Sequence, residues 1–165
     1  PLPLGPVDLA LVVAESLGTL TSRIREKNVR VDTGVTGGTS VIAERVSLGN
    51  SVLNNLLTNA IKFSHPGSTV EVNAARAEGM IRITVRDHGV GMPPSLLADL
   101  FDVRKTTSRP GTAGERGTGF GMPLMRKLVT AYGGSIEVAS KEQAEGVPDH
   151  GTEVRVLLRE APAGA

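Results

Sequence analysis

The sequence predicts an α+β protein, a two-layer α/β sandwich in which a mixed, mostly antiparallel sheet packs against about three helices. The first observation behind this prediction is the order of elements, which is helix, strands, helix, hairpin, loop, helix, hairpin, without an internal repeat. The second is size, because 165 residues that are 39% hydrophobic suffice for one core. We therefore expect a single domain over residues 1–165, with its core at about 7–158.

The first half of the chain is predicted to hold two helices and two short strands. Apolar residues three and four positions apart indicate the helices, and alternating valines indicate the strands. In chain order the predicted elements are a ragged end at 1–6, a helix capped by Asp8 and reaching about Lys27, a strand near 29–35, a strand at 41–43 and a long helix from about Glu44 to Phe63.

The second half is predicted to hold two hairpins separated by a loop and a helix. A Glu78-Gly79 turn joins the strands of the first hairpin, and Gly133-Gly134 ends the helix. The elements are strands near 70–72 and 80–85, an aperiodic loop at about 92–120 with a short helix at 95–101, a helix at about 122–132, strands at about 135–140 and 152–158, and a loose tail at 159–165. A loop of that length is usually functional, and we interpret it as a lid.

Composition excludes several classes of function. The net charge is +1 and only four residues are aromatic, which disfavours nucleic-acid binding. The longest apolar run is far shorter than the about 20 residues of a membrane span, so we expect no direct membrane insertion. The absence of cysteine fits a reducing compartment. We expect a cytoplasmic location for this chain, whether or not it belongs to a larger parent protein that is anchored in a membrane.

The helix at 51–64 carries an unusual polar stripe. Asn55, Asn59 and Lys62 fall on one side of a helical wheel, opposite a leucine-rich side. Asparagine is a poor helix former, so two of them one turn apart need a reason. An amide oxygen suits Mg²⁺ and a lysine suits phosphate, although a solvated face fits this helix equally well when it is taken alone.

Two glycine-rich stretches add to this signal. Asp87 ends a strand and is followed by Gly89 and Gly91, so its carboxylate could accept a hydrogen bond from an exocyclic amine such as that of adenine, with a simple Asx turn as the alternative. Glycines at 117, 119 and 121 lead into a helix, where exposed N–H groups and the helix dipole favour phosphate.

Four motifs in this order resemble the N box, first glycine box, F box and second glycine box of the catalytic ATP-binding domain of sensor histidine kinases. They are NNLLTNAIKF, DHGVGMP, LFDVRKTTS and GTGFGMPLMRKLVTAYGGSIEVAS. The resemblance extends from about Val7 to Leu158 and implies the Bergerat (GHKL) fold. It implies ATP and Mg²⁺ as cofactors and histidine protein kinase activity.

The resemblance also implies roles for individual residues. Asn59 is similar to the metal ligand, and Asn55, Lys62 and Lys105 to catalytic residues near the phosphates. Asp87 resembles the adenine-reading acid, with Thr152 beside it. The remaining residues expected at the nucleotide are Phe63, Gly89, Gly91, Met92, Arg116, Gly117, Thr118, Gly119, Phe120, Gly121 and Met122. Lys105, Arg109 and Arg116 are basic lid residues that could reach the γ-phosphate, and the sequence does not choose among them.

Two departures from the family pattern limit the expected activity. Superfamily members that hydrolyse ATP alone carry a glutamate where this chain has Ser51, so autonomous ATPase activity should be weak. The three histidines, His65, His88 and His150, do not resemble the phosphoacceptor. We therefore expect this chain to phosphorylate a histidine on a separate dimerisation domain, which passes the phosphoryl group to a response regulator receiver domain.

Two alternatives remain open at this point. A serine kinase of the anti-sigma-factor type shares the fold without an attached histidine domain, and a non-catalytic nucleotide-binding switch would explain Ser51. The isolated domain has no evident dimer seam, so we expect a monomer. Phe120 and Met122 suggest a lid base that packs against a neighbouring domain, with ordinary core packing as the more favoured interpretation.

Overall fold

A computed structural model of the chain describes residues 2–102, 104, 109–115 and 121–162. Its main sheet has five strands, which are β2 (Arg30–Thr33), β4 (Thr69–Ala77), β5 (Met80–Arg86), β6 (Ser135–Lys141) and β7 (Gly151–Arg159). Their order in the sheet is β2-β4-β5-β7-β6. Only the β2–β4 pair is parallel, and the other neighbours are antiparallel. The predicted mixed, mostly antiparallel sheet is therefore confirmed.

The strand register aligns apolar residues on one face of the sheet. Ile83 of β5 lies opposite Val156 of β7, and Val85 lies opposite Val72 of β4. All four side chains are buried, whereas Arg82 between Ile81 and Ile83 is exposed. Because side chains alternate across a strand, this register gives one buried face and one more open face.

A layer of helices covers the apolar face. The helices are α1 (Leu9–Thr19), α2 (Thr21–Lys27), α3 (Arg45–Ser47), α4 (Asn54–Phe63), α5 (Pro94–Ala98) and α6 (Gly121–Ala131). Asp8 caps α1 as predicted, because its side chain accepts a hydrogen bond from the Leu11 N–H. Gly133, with φ of +82°, follows α6 at the predicted helix end.

Two predicted helices differ in detail from the structure. The first is divided at Leu20, whose φ of −102° and ψ of 5° separate α1 from α2. The second runs from α3 to α4 through a π-helical stretch, Leu48–Leu53, immediately before the two asparagines. Such wider turns are frequent near functional sites, and hydrophobic periodicity alone does not distinguish them from α-helix.

The ordered structure extends beyond both ends of the predicted core, which was placed at about 7–158. Residues 5–8 are not ragged but form β1 (Gly5–Asp8), which pairs with β3 (Ser40–Ala43) in a second, two-stranded sheet. The expected loose tail is ordered at its start, since Glu160 bridges to Val41 and the Ala161 N–H donates to the Ser40 carbonyl at 2.9 Å. Both errors arise because the partner, β3, is distant in sequence from each end.

Candidate functional site

Asp87 lies directly after β5, where the chain leaves the sheet, and is 5% exposed. Its Oδ1 accepts hydrogen bonds from the backbone N–H of Gly89 at 2.9 Å and of Thr152 at 3.2 Å. Burial raises the pKa of the Asp87 carboxyl above its ordinary value, and the two N–H donors offset part of that rise. The backbone thus orients the carboxylate through one oxygen, and its chemistry allows the other to accept from an incoming donor.

The two glycines after Asp87 are needed by the packing of the protein itself. A Cβ on Gly89 would lie 1.9 Å from the carbonyl oxygen of Phe63, and the neighbouring Val90 N–H donates to that same oxygen at 3.1 Å. Gly91 has φ of +66°, and a Cβ there would lie 2.0 Å from the carbonyl oxygen of Lys141. Protein backbone therefore occupies the positions that these Cβ atoms would take.

A serine that the sequence did not indicate joins three parts of this region. The Ser140 hydroxyl accepts from the Met92 N–H at 2.8 Å and donates to the Gly151 carbonyl at 3.1 Å. It also lies 2.8 Å from the hydroxyl of Thr152, whose N–H bond to Asp87 places this threonine beside the acid, as the resemblance implied. Met92 is only 8% exposed and belongs to the hydrophobic core.

The turn before β7 also contacts the segment after Asp87. The His150 Nδ1 lies 2.5 Å from the Gly89 carbonyl oxygen. Gly151 has φ of +127°, and a Cβ there would lie 2.2 Å from the Asp87 carbonyl oxygen. Gly151 is thus required by close backbone approach, and its only sequence signal is a glycine at the start of a strand.

The two predicted asparagines of α4 face the beginning of α6. The Asn59 Nδ2 lies 3.8 Å from the Met122 Sδ, and a Cβ on Gly121 would lie 3.5 Å from the Asn55 Cγ. Asn55 Nδ2 also donates to the Ser51 carbonyl at 2.5 Å, within its own helical segment. Both asparagines are partly exposed, so the polar stripe of α4 and the first residues of α6 form one surface.

Lys62 and Phe63 end α4 in a charged aromatic cluster. Lys62 is 7% exposed, and its Nζ lies 4.9 Å from the centre of the Phe63 ring. Burial lowers the pKa of the Lys62 ammonium, the Glu115 carboxylate acts against this, and the Arg109 charge lowers it further. A buried ammonium in these surroundings is suited to an anionic ligand such as phosphate.

Of the three lid candidates for the γ-phosphate, Lys105, Arg109 and Arg116, the structure describes Arg109. Its guanidinium carbon lies 4.4 Å from the centre of the Phe63 ring, and its Nη2 donates to the Gly91 carbonyl at 2.8 Å. Burial lowers the pKa of Arg109, and the charges of Asp87 and Glu142 raise it. Arg109 therefore joins the end of α4 to the segment after β5.

Six predicted site residues lie outside the described residues. They are Lys105, Arg116, Gly117, Thr118, Gly119 and Phe120. The other predicted residues fall into two groups around the end of α4. Asp87, Gly89, Gly91, Met92 and Thr152 lie on the strand side, and Asn55, Asn59, Lys62, Gly121 and Met122 lie on the helix side. Phe63 links the groups, since its carbonyl accepts from the Val90 N–H and its ring contacts Lys62.

The side chains available as metal ligands limit how a metal ion could be bound near Asn59. Among the described residues, no group of three or more histidine, cysteine or acidic side chains is placed to hold a metal ion. The amide of Asn59 is a single oxygen donor, which fits Mg²⁺ that arrives with the phosphates and keeps water as its other ligands. The Asn59 amide oxygen therefore fits one ligand position of a Mg²⁺ ion that also binds phosphate oxygens and water.

With this geometry in hand, comparison with known proteins identifies the family. A family model described as histidine kinase-, DNA gyrase B- and HSP90-like ATPase matches residues 43–162. The chain belongs to this family. An uncharacterised sensor-like histidine kinase of Rhizobium meliloti is 32% identical over 162 residues, which are 98% of this chain and 30% of the relative. The chain thus spans less than a third of that relative's length.

Solved structures agree with this assignment of the ATPase family. A mycobacterial sensor histidine kinase, MprB, superposes with a TM-score of 0.78 at 26% identity, covering 97% of this chain and 99% of that chain. Full-length ShkA in complex with AMPPNP superposes with a TM-score of 0.77 at 24% identity, covering 100% of this chain and 33% of that chain. The predicted family, the catalytic ATP-binding domain of sensor histidine kinases, and the predicted α+β fold are confirmed. Within the described residues, every helix of this family member is too short or too polar to cross a bilayer.

Proposed function

We propose that this chain binds Mg-ATP and donates the γ-phosphoryl group to a histidine on a separate dimerisation and phosphoacceptor domain. The observation that carries the proposal is the burial of a carboxylate, Asp87, and of an ammonium, Lys62, in two segments that both contact Phe63. Neither forms an ion pair within the described part of the chain. Burial of such charges is costly, and a ligand with both an amine and phosphates would compensate each of them.

In this proposal each group has one task. The Asp87 carboxylate accepts a hydrogen bond from the exocyclic amine of adenine, while Gly89, Gly91 and Thr152 hold it in place. Asn59 supplies one oxygen to the Mg²⁺ that accompanies the triphosphate, and Asn55 lies beside it. Lys62 neutralises phosphate charge, together with a basic residue of the lid at about 92–120, for which Lys105, Arg109 and Arg116 are the candidates. The family resemblance and the AMPPNP complex of ShkA support nucleotide binding.

The transfer itself needs positioning more than covalent chemistry from this chain. The bond between the γ-phosphorus and the ADP oxygen breaks as a bond to the acceptor imidazole nitrogen forms, and ADP leaves with the electron pair. Ser51 stands where a water-activating carboxylate would be needed, so hydrolysis should be slow compared with transfer. We propose that the phosphoryl group then passes to a response regulator receiver domain, and that this single, monomeric domain works in the cytoplasm.

Titration calorimetry with Mg-ATP tests the binding half of the proposal. We expect wild-type binding and a loss of about 100-fold in affinity for Asp87→Asn, because the amide is a weaker acceptor than the carboxylate. Asp32→Asn is the matched control, since Asp32 is an exposed acid on β2. Equal affinities for the wild type and Asp87→Asn would show that Asp87 does not bind the adenine base.

Incubation with labelled ATP and a separately supplied phosphoacceptor domain tests the transfer half. Label that is lost in acid and kept in alkali indicates phosphohistidine and supports the proposal. An acid-stable label on a small antagonist protein would instead indicate the serine kinase. Binding without any transfer would favour the non-catalytic switch, which the serine at position 51 also permits.

A further inference from the structure

Lys27, the last residue of α2, is a buried cation that the proposed nucleotide chemistry does not use. Its side chain is only 6% exposed. Its Nζ donates to the carbonyl oxygen of Lys62 at 2.7 Å and to Oε2 of Glu115 at 2.6 Å. Lys27 therefore joins α2, the last turn of α4 and the lid segment 109–115, which are far apart in sequence.

The same lid segment is hydrogen-bonded to the end of α4 by its backbone. The Thr112 N–H donates to the Lys62 carbonyl at 3.1 Å, and the Thr112 hydroxyl donates to the Ser64 carbonyl at 2.5 Å. A Cβ on Gly111 would lie 2.5 Å from the Lys62 carbonyl oxygen, so the two backbones are in close contact. The carbonyls at a helix C-terminus lack intrahelical donors and carry partial negative charge, which explains why a cation and N–H groups gather there.

Glu115 closes this arrangement from the lid side. Its Oε1 accepts from the Ala113 N–H at 2.8 Å, and its own carbonyl accepts from the Gly111 N–H at 2.9 Å. Burial raises the pKa of Glu115, but the hydrogen bonds from Lys27 and the backbone, together with the charge of Lys27, outweigh this effect, so the pKa lies below its ordinary value. Glu115 is therefore ionised at neutral pH.

The charge of Glu115 also acts on Lys62, the residue that is proposed to bind phosphate. Its carboxylate interacts electrostatically with the Lys62 ammonium. Without Lys27, this carboxylate would lose its ion-pair partner in the part of the site where the triphosphate would bring more negative charge. The Lys27 side chain is 6% exposed and the Glu115 side chain is 35% exposed, so replacing Lys27 removes the buried partner of this pair, and we expect lid segment 109–115 to separate from the end of α4 more readily.

We propose that Lys27 is a positioning residue for the nucleotide site: it anchors lid segment 109–115 to the end of α4 and neutralises Glu115 beside Lys62. This inference rests on the proposed binding of Mg-ATP. Lys27 itself touches no reacting atom, and its effect should be specific for phosphates. Affinity for ATP should depend on it, whereas affinity for adenosine should not.

The first test measures the anchor without nucleotide. Amide hydrogen exchange is followed at Gly111, Thr112 and Ala113 in the wild type, in Lys27→Met and in Arg23→Met. Arg23→Met is the control, since Arg23 is an exposed cation on the same helix. We expect exchange at these amides to be about tenfold faster in Lys27→Met only. Equal protection in all three proteins would overturn the anchor.

The second test measures nucleotide affinity and uses Glu115 to separate charge from packing. We expect Lys27→Met to bind Mg-ATP about tenfold more weakly and adenosine within about twofold of the wild type. Adding Glu115→Gln to Lys27→Met removes the uncompensated carboxylate and should recover at least half of the loss in logarithmic terms. Equal losses for ATP and adenosine, or no recovery in the double variant, would overturn the neutralising role.

Two outcomes keep this inference separate from the proposed function. If the wild type binds adenosine nucleotides poorly, the proposed function fails, while hydrogen exchange still decides whether Lys27 anchors the lid. If Lys27→Met does not fold, Lys27→Arg retains the charge, and we expect its exchange and ATP affinity to stay within about threefold of the wild type. A complete loss of both in a folded Lys27→Arg protein would contradict a role based on charge.

Discussion

Replacement of Gly89 by alanine separates two explanations for the glycine that follows Asp87. If the glycine serves only a flat ligand, alanine should weaken nucleotide binding and leave stability unchanged. In the structure, however, the new Cβ would lie 1.9 Å from the Phe63 carbonyl oxygen and 2.6 Å from its carbon. An overlap with backbone atoms cannot be relieved by rotating a side chain, so the segment 87–91 must move away from α4.

The energetic cost of that movement has two parts. Overpacking of this kind costs about 1–3 kcal/mol, and breaking the hydrogen bond from Val90 to Phe63 adds about 1 kcal/mol. We therefore expect Gly89→Ala to lower the free energy of unfolding by roughly 2–4 kcal/mol, a drop in Tm on the order of 10 °C for a chain of this size. Affinity for ATP should fall as well, because the same movement displaces Asp87.

Urea denaturation and thermal melting without nucleotide measure the effect. Gly37→Ala is the control, since a Cβ there meets nothing within 4 Å. We expect the control to change the free energy of unfolding by less than about 1 kcal/mol. If Gly89→Ala were as stable as Gly37→Ala, the packing explanation would be refuted and the ligand explanation restored.

Three further predictions concern single side chains. Because burial raises the pKa of Asp87, the folded protein binds the Asp87 proton more tightly than the unfolded chain does. The free energy of unfolding of the wild type, relative to that of Asp87→Asn, should therefore decrease as pH rises through the pKa of the folded protein. Urea denaturation at several pH values measures this difference, and a difference that stays constant with pH would contradict the prediction. Asn59→Ala should weaken ATP binding about tenfold with Mg²⁺ and little in EDTA, as measured by calorimetry; equal losses would exclude it as a metal ligand. Ser140→Ala leaves the Met92 N–H without its acceptor and should cost about 1–3 kcal/mol in urea denaturation, whereas the exposed Ser22→Ala should not.

Local patterns in the sequence were sufficient for most elements of the fold. The alternation in β4 and β5, with a Glu78-Gly79 turn whose residues both have positive φ, predicted the hairpin that the structure contains. The helix with Asn55 and Asn59 on one side was equally visible, because its two faces differ in polarity over several turns. Periodicity could not place β1, whose four residues are strand only because β3 lies beside them.

The candidate site shows the same division. Asp87, Asn59 and Lys62 were recognisable because each combines a residue type with a motif and a position at the end or on the polar face of an element. Ser140 and Lys27 had no such signal, since a serine in a strand and a lysine at a helix end are ordinary surface residues. Their importance comes from hydrogen bonds to segments 48 and 88 residues away, respectively.

By itself, the sequence determined most of the segments that become helix and strand, which side of each is apolar and which chemical groups stand at the glycine-rich turns. These properties depend on neighbours within a few residues. Only the tertiary structure decided why Gly89 and Gly91 must lack side chains, and which charges meet at the end of α4. Those contacts form between backbone segments that are distant in sequence, and the local sequence around each segment does not specify which distant segment it will meet.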